Sequence, residues 1–181
     1  AKLNPATHGI DLGPLTPCVP KRHRTADKLI DLAPEILVKD VERVRVRLLD
    51  DAAADSNGHL LLIGRRQLRS NNSWLHNSER MVKGKERCTM LMHPDDAADR
   101  DLISGQNVLV RSRVGEIVLP VEVTEEMMRG VVSIPHGWGH DRSGNRLEVA
   151  QQHAGASIND LTDNQAIDAL CGTAAFNGTP V

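Results

Sequence analysis

Residues 60–77 read LLLIGRRQLRSNNSWLHN, and the polarity of the chain changes abruptly inside this stretch. The apolar run from Leu60 to Ile63 predicts a short buried β-strand. The polar half begins at Gly64 and contains three arginines but no acidic residue up to Asn77. Because nothing within it neutralises the arginines, we expect this polar loop (residues 64–77) to bind an anion.

The side chains of the polar loop suit a heteroaromatic ligand that carries phosphate groups. The guanidinium groups of Arg65, Arg66 and Arg69 match the geometry of phosphate or carboxylate oxygens. Amides that both donate and accept hydrogen bonds, together with small or switchable donors, complete the set: Gln67, Asn71, Asn72, Asn77, Ser70, Ser73 and His76. The alternative is an exposed hairpin whose asparagines and serines only satisfy turn geometry.

The composition narrows the class of protein. A chain of 181 residues fits one compact domain, or one domain with a loosely attached arm. The net charge of -2 gives no overall bias toward nucleic acid or anionic membranes. An aromatic content of 2% leaves few side chains on which nucleic-acid bases could stack. We therefore expect any basic surface to be local and no nucleic-acid partner.

Cysteine spacing and hydropathy bear on location. Cys18, Cys88 and Cys171 lie far apart and lack the spacing of metal ligands, which indicates a reduced, cytoplasmic protein. The sequence has no apolar run of about twenty residues and no signal-like start, so we expect neither membrane insertion nor export. Ala1 in place of Met suggests a piece excised from a longer chain, or removal of the initiator Met.

The first part of the chain is expected to be irregular and partly helical. Four prolines within residues 1–20 predict an extended arm. A short helix is predicted over residues 26–32, with Thr25 as its N-cap. A second helix is predicted over residues 35–50, although residues 44–48 alternate in a way that would also suit a strand. Residues 50–58 are typical of a surface connection.

The clearest strand pattern follows the polar loop. Residues 116–124 (EIVLPVEVT) alternate apolar and polar side chains, which predicts a half-buried strand with Pro120 at an edge or a bulge. Further strands are predicted over residues 88–92, 107–111 and 131–134, with a helix that opens at His93-Pro94 and is closed by Gly105. A brief last helix is predicted over residues 164–170. Short strands with one or two small helices favour a compact β-barrel of mixed pairing.

Residues 136–140 (HGWGH) form a second candidate segment, the glycine loop. Its glycines allow a close backbone approach, and Trp138 could cover a ligand or an entrance. The alternative is a turn whose Trp138 packs on the core. His136 and His140 have the spacing of two metal ligands on one helix face, but the intervening glycines disfavour that helix.

Other chemistry is sparse. The sequence holds no GxSxG elbow, Walker A loop, HExxH or paired-cysteine motif, which removes local support for hydrolase, phosphoryl-transfer and zinc-enzyme functions. Cys88 lies in an apolar run, where a thiol packs more often than it reacts. Asn159 and Thr162 present polar side chains on a turn, unless Thr162 or Asp163 caps a helix. We predict no catalytic residue and no metal ligand in this chain.

Five segments, taken in order, resemble the C-terminal domain of the molybdopterin-dependent oxidoreductases, the family of the dimethyl sulfoxide reductases, formate dehydrogenases and nitrate reductases. They are Ile63-Gly64-Arg65 with the rest of the polar loop, His93-Pro94-Asp95-Asp96-Ala97, residues 105–115, residues 130–139, and Asn159-Asp160-Leu161-Thr162. The resemblance implies a mainly β fold with short helices, a double-psi β-barrel over residues 59–181. Residues 1–58 would then form a Pro-rich arm and a partly helical bridging segment.

The resemblance also implies a ligand. The family's domain closes over a pair of molybdopterin guanine dinucleotides, the bis form of the cofactor, which carries Mo or W. Gly64-Arg65 matches the family's Gly-Arg at the end of the first barrel strand, and the positions that follow match its pterin- and phosphate-contacting loop. Asn159 matches an asparagine that reaches the cofactor, and residues 137–138 fall where the substrate funnel or pterin is lined. The expected cofactor-binding residues are Gly64, Arg65, Arg66, Gln67, Arg69, Ser70, Asn71, Asn72, His76, Asn77, Gly137, Trp138, Asn159 and Thr162.

This chain also departs from the family, because Arg69, Ser70 and Asn71 stand where many members carry histidine or aromatic residues. The metal ligand and any iron–sulfur cluster would belong to catalytic domains of a parent polypeptide, which are the expected partners. The isolated domain is then expected to be an inactive monomer. The alternatives are an independent β-barrel binding module for nucleic acid or a protein partner, and a metalloenzyme that uses His136 and His140.

Overall fold

The structure is a computed structural model that describes residues 8–46, 49 and 58–181. The chain divides into two compact units, Ala1–Leu48 and Leu49–Val181. The predicted surface connection lies outside the described residues except for Gly58, and so do the first seven residues of the predicted arm. The described helices all fall short of the length and apolarity that crossing a membrane would need.

The first unit contains the helix α1 (Glu35–Arg45), which confirms the second predicted helix over its described part and excludes a strand at Val44. The predicted helix over residues 26–32 is wrong, because side chains fix turns there. Asp27 Oδ1 accepts a hydrogen bond from the Leu29 amide at 2.9 Å, and Lys28 has a left-handed backbone with φ of 63°. None of residues 8–46 is buried.

The second unit is mainly β, with a few short helices, as predicted. Its elements in chain order are β1 (Leu61–Arg65), α2 (Glu79–Val82), β2 (Met90–Met92), α3 (Pro94–Ala98), β3 (Asn107–Arg111), β4 (Glu116–Val123), β5 (Val131–Pro135), α4 (Glu148–Gln152), a 3₁₀ turn (Ile158–Asp160) and β6 (Thr179–Pro180). The six strands form one sheet in the order β3-β4-β2-β5-β1-β6.

Two parallel pairs lie at the centre of this sheet. Strand β1 runs parallel to β5, and β2 runs parallel to β4, while β2 and β5 are antiparallel to each other. The β1–β5 register places Gly64 opposite Ile134 and Arg65 opposite Pro135. Because parallel strands end at the same edge of a sheet, the segments that follow β1 and β5 must leave from neighbouring points.

The core follows from the alternation of the strands. On β4, Ile117, Leu119 and Val121 are buried, as the pattern predicted. They pack with the buried side chains of the other strands and of the 3₁₀ turn, among them Leu62, Met90, Met92, Val108, Val110, Val132, Ile134, Ile158 and Leu161. One hydrophobic face of the sheet therefore supports the edge from which the polar loop departs.

Pro120 pairs with Asn107 at the end of the β3 ladder, and the β2 ladder begins at the next residue, Val121. This position between two ladders is compatible with the predicted edge or bulge. Two other local predictions fail in this unit. Helix α3 ends at Ala98, well before Gly105. The predicted helix over residues 164–170 is replaced by turns and a bridge between Ile167 and Ala174.

Candidate functional site

The polar loop and the glycine loop meet at the ends of β1 and β5. The ring nitrogen Nε2 of His136 lies 3.0 Å from the side-chain oxygen of Asn72. Gly137 has a left-handed φ of 99°, and a Cβ atom there would overlap the backbone carbonyl of Asn72. The glycine in this loop is thus required for close contact between the two predicted segments.

A third predicted segment joins them. A Cβ atom on Gly139 would approach Ser157 Cβ to 2.7 Å, which places the 3₁₀ turn carrying Asn159 directly beside the glycine loop. The backbone amide of Gly64 donates a hydrogen bond to Asn177 Oδ1 at 2.9 Å, and Ile158 lies next to the same glycine. The structure therefore brings Gly64, residues 136–140 and the Asn159 turn to one edge of the sheet.

A buried chain of hydrogen bonds anchors the polar loop. His76 and Ser70 are each only 3% exposed. His76 Nε2 lies 2.7 Å from Ser70 Oγ, and its Nδ1 lies 2.8 Å from His140 Nε2. Trp138 covers the chain, with its ring centroid 4.3 Å from that of His76. Sequence analysis assigned Ser70 and His76 to the cofactor, but their three polar side-chain atoms are all hydrogen-bonded within the protein, which indicates an anchoring role.

Burial keeps the two histidines neutral. Burial lowers the pKa of His76 to about 4, with further lowering by His140 and Arg87 and an opposing effect of the Gly137 backbone. Burial also lowers the pKa of His140, against the Gly137 backbone and Asp141, which raise it. Protonation of both rings would place two cations within hydrogen-bonding distance, so the doubly protonated pair is disfavoured.

The three arginines of the polar loop have different surroundings. The Arg65 guanidinium is half-buried and donates to the backbone carbonyls of Ser133 and Thr89, and burial lowers its pKa. Arg69 donates to the carbonyls of Arg80 and Lys83, which close helix α2. Arg65 and Arg69 therefore hold the loop to its neighbours.

Arg66 differs because its guanidinium is exposed and donates only to the side-chain oxygen of Asn72, among the contacts within the described chain. None of the three arginines forms an ion pair with a carboxylate of a described residue. Their partners are neutral carbonyl, hydroxyl or amide oxygens, so the loop retains its positive charge.

The amide side chains of the loop support turns as well as offering contacts. Asn71 and Asn72 have left-handed φ values of 45° and 62°. Gln67 Oε1 accepts from the Arg69 amide at 3.3 Å. Asn77 Oδ1 accepts from the amides of Val149 and Ala150, at the start of α4. These features agree with the turn-geometry alternative, and the exposed side chains of Asn71, Asn72 and Asn77 also reach solvent.

The Asn159 turn presents one unused amide. Thr162 Oγ1 donates to the Asn159 backbone carbonyl at 3.1 Å, so the Thr162 side chain stabilises the turn. The side chain of Asn159 is exposed and makes no hydrogen bond within the described part of the chain. The amide of Asn159 is thus directed outward, as is the exposed guanidinium of Arg66.

An open pocket of about 260 Å³ lies beside Arg65. Its walls mix cations and carboxylates with neutral groups: Arg65, Gln67, Lys85, Glu86, Arg87, Thr89, Leu91, Glu122, Thr124 and Glu126. Thr89 Oγ1 donates to Glu122 at 3.1 Å, and Lys85 pairs with the same carboxylate. Because the charges are of both signs, this pocket is a poorer match for a polyanion than the exposed side of the loop.

The metalloenzyme alternative lacks a metal-binding arrangement within the described residues. His136 contacts Asn72, whereas His140 contacts His76, and no group of three or more potential ligands converges in the described ranges. Cys88 is buried, its Sγ accepts from the Ala156 amide at 3.3 Å, and burial raises its pKa to about 11. The buried position of Cys88 agrees with the prediction of a packed thiol.

Sequence reasoning missed two contributors to the site. Asn177 reaches the Gly64 amide from 113 residues away. His140 completes the buried chain with His76 across 64 residues. The only local signals were an Asn before a Gly at Asn177 and a second His in the glycine loop, and neither points to its partner.

Comparison with known proteins supports the resemblance. A family model described as "Molydopterin dinucleotide binding domain" matches residues 60–180. Dimethyl sulfoxide/trimethylamine N-oxide reductase from Rhodobacter capsulatus is 45% identical over 62 residues, which is 34% of this chain and 7% of that protein. Acetylene hydratase from Pelobacter acetylenicus shares the fold with a TM-score of 0.59 at 19% identity, over 73% of this chain and 19% of that one.

This chain therefore spans only a small part of either relative. The family match nevertheless runs without a break from β1 to β6 and includes the polar loop, the glycine loop and the Asn159 turn. It confirms the resemblance drawn from the five sequence segments and does not favour an independent binding module. The chain belongs to the molybdopterin dinucleotide-binding domain family.

Proposed function

We propose that residues 59–181 hold a molybdopterin guanine dinucleotide, in its bis form, within a larger molybdenum or tungsten oxidoreductase. The observation that carries this proposal is the exposed Arg66, a cation fixed by an amide oxygen and not by a described carboxylate. It lies in a loop without acidic residues, at the shared edge of two parallel strands. Such a site favours phosphate oxygens.

The donor set fits the cofactor. Arg66 would meet phosphate, while the exposed amides of Asn71, Asn72 and Asn159 would meet the polar edges of the ring systems. Gly64 would admit close approach of the cofactor, whereas Gly137 lets the Asn72 backbone lie against the glycine loop. The buried Ser70–His76–His140 chain would hold the loop in place. When bound, the cofactor supplies the metal at which the substrate is transformed, and this chain supplies orientation and charge.

The finer description of the fold is part of the same proposal. A double-psi β-barrel is supported by the two parallel pairs, β1 with β5 and β2 with β4, joined through the antiparallel β2–β5 pair. The proposed division places a Pro-rich arm and bridging segment at residues 1–58 and the barrel at residues 59–181. The start of the family match at residue 60 supports this boundary.

Turnover is assigned to the parent polypeptide. One named relative is a reductase and the other a hydratase, so family membership alone does not fix the reaction. We propose that the partners are the parent's catalytic domains and that the domain alone is an inactive monomer. Three free cysteines, of which Cys18 and Cys171 are exposed, support a reducing, cytoplasmic location.

The test is an amide chemical-shift titration of the isotope-labelled chain with GDP, which stands in for the nucleotide end of the cofactor, at low salt. We expect shifts concentrated in the polar loop, at Gly137 and Trp138, and at Asn159. Arg66→Ala should weaken GDP binding several-fold, because it removes a charge-assisted contact without opening the core.

Arg111→Ala is the matched control. Arg111 is also exposed, but it pairs with Glu116 at 2.9 Å on the β3–β4 hairpin. Its removal should leave GDP binding unchanged. Equal weakening by both substitutions would indicate unspecific attraction, and shifts confined to the hairpin or the first unit would refute the proposed site.

A further inference from the structure

Trp74 is the exposed aromatic residue of the polar loop. The chain has only two tryptophans, one phenylalanine and no tyrosine, yet Trp74 is 80% exposed in the described structure. The other tryptophan, Trp138, packs against His76. The indole of Trp74 therefore presents an aromatic face on which a flat ligand could stack.

The loop holds this ring on a fixed backbone. The Trp74 amide donates to the Asn71 carbonyl at 3.3 Å, and the Leu75 amide donates to the Ser70 carbonyl at 3.1 Å. The adjacent His76 is buried in its hydrogen-bonded chain. The indole is therefore presented by a turn that needs little ordering on binding, and this preorganisation favours a specific ligand.

The surroundings of Trp74 select a ligand that is both planar and anionic. Two residues before it, Asn72 holds the exposed guanidinium of Arg66. Indole faces stack on flat heteroaromatic rings, whereas the guanidinium attracts phosphate. A single ligand can meet both groups when it consists of a heteroaromatic ring linked to phosphate.

We propose that Trp74 stacks on the aminopyrimidinone ring that guanine and pterin share, while Arg66 binds the attached phosphate. This inference rests on the proposed function and adds the ring contact to it. Leu68, which is 94% exposed in the same loop, offers no aromatic face and takes no part in the stack.

The experiment measures dissociation constants by amide shifts for three probes: GDP, neopterin phosphate and inorganic pyrophosphate, which has no ring. Trp74→Ala should weaken binding of at least one ring-bearing probe about tenfold and leave pyrophosphate unchanged. Trp74→Phe should retain most of the affinity, whereas Trp74→Leu should not. Leu68→Ala is the matched control and should bind all three probes as the unsubstituted chain does.

A second readout isolates the indole. In Trp138→Phe, Trp74 is the remaining tryptophan, and GDP should quench its fluorescence with the dissociation constant that amide shifts give for this same variant. The probe weakened more by Trp74→Ala identifies the guanine or the pterin as the stacked ring, and either result supports the inference.

The outcomes separate the inference from the function on which it rests. If GDP and neopterin phosphate bind the polar loop and Trp74→Ala weakens neither of them, the stacking proposal is overturned but the cofactor site is retained. Full affinity in Trp74→Leu also overturns it, because an apolar cover would then suffice. No binding of GDP or neopterin phosphate by the unsubstituted chain overturns both proposals.

Discussion

The buried and exposed sides of the polar loop use similar residues for opposite purposes. On the buried side, Ser70 and His76 satisfy each other and His140, and no polar atom is left for a ligand. On the exposed side, Arg66 and Trp74 are directed to solvent and have few partners. Residue type alone therefore does not separate an anchor from a ligand-binding group; burial and partners do.

The largest loss of stability is expected from a substitution that pushes the glycine loop away from the polar loop. Gly137→Ala combines a left-handed φ of 99° with an overlap between the new methyl group and the Asn72 carbonyl. We expect the free energy of unfolding to fall by about 3 kcal/mol. Urea denaturation of the purified chain measures this loss.

Gly144→Ala is the matched control, because Gly144 has a similar φ of 88° but no atom within 4 Å of the added methyl group. It should cost about 1 kcal/mol, from backbone strain alone. Equal losses at the two glycines would show that the contact between the loops contributes nothing.

Low pH should destabilise the buried Ser70–His76–His140 chain. The pKa of His76 falls from 6.5 to about 4 on folding, mainly through burial, so the folded state binds fewer protons than the unfolded state between these values. The free energy of unfolding should therefore drop as pH falls through this window, by up to about 1.4 kcal/mol per pH unit, and stay level above it. Burial of His140 acts in the same direction.

Urea denaturation at several pH values tests this slope. His76→Gln should flatten it, because the titrating ring is removed. His59→Gln, at an exposed position outside the hydrogen-bonded chain, should retain it. A slope that His76→Gln leaves unchanged would assign the acid sensitivity to other groups.

Two adjacent arginines give the sharpest contrast between the sides. Arg65→Ala strands the carbonyls of Ser133 and Thr89 and should cost about 2 kcal/mol of stability. Arg66→Ala should change stability by no more than about 0.5 kcal/mol, because its guanidinium is exposed. In GDP titrations of the folded variants, Arg66→Ala should be the weaker binder. If Arg66→Ala lost more stability and Arg65→Ala bound GDP more weakly, Arg66 would be the structural residue and Arg65 the ligand-binding one.

The strands were predictable because one buried face imposes a period of two. The bounds of β3 (Asn107–Arg111) are those predicted, and β4 ends one residue before its predicted limit. The predicted helices over residues 26–32 and 164–170 failed for a local reason. Asp27 and Asp163 accept hydrogen bonds from amides two residues ahead and form turns instead.

The site was predictable in its segments but not in the roles of their residues. The run of arginines without acids located the polar loop, since charge is read directly from sequence. The partners of Arg65 lie 24 and 68 residues away, and His76 meets His140 across 64 residues. Such pairings arise from the assembly of distant segments around the sheet and leave no local pattern, so Arg65, Ser70 and His76 could not be recognised as anchors.

The smallest effect on stability is expected at Asn159. Its exposed side chain makes no hydrogen bond within the described chain, so Asn159→Ala should change the free energy of unfolding by less than about 0.5 kcal/mol. Thr162→Ala is its control, because Thr162 Oγ1 donates to the Asn159 carbonyl and its loss should cost about 1 kcal/mol. GDP affinity should respond in the opposite order, falling several-fold in Asn159→Ala and little in Thr162→Ala. Unchanged GDP affinity in Asn159→Ala would mean that Asn159 does not bind the nucleotide end of the cofactor. The nucleotide would then be bound by the polar loop without the Asn159 turn.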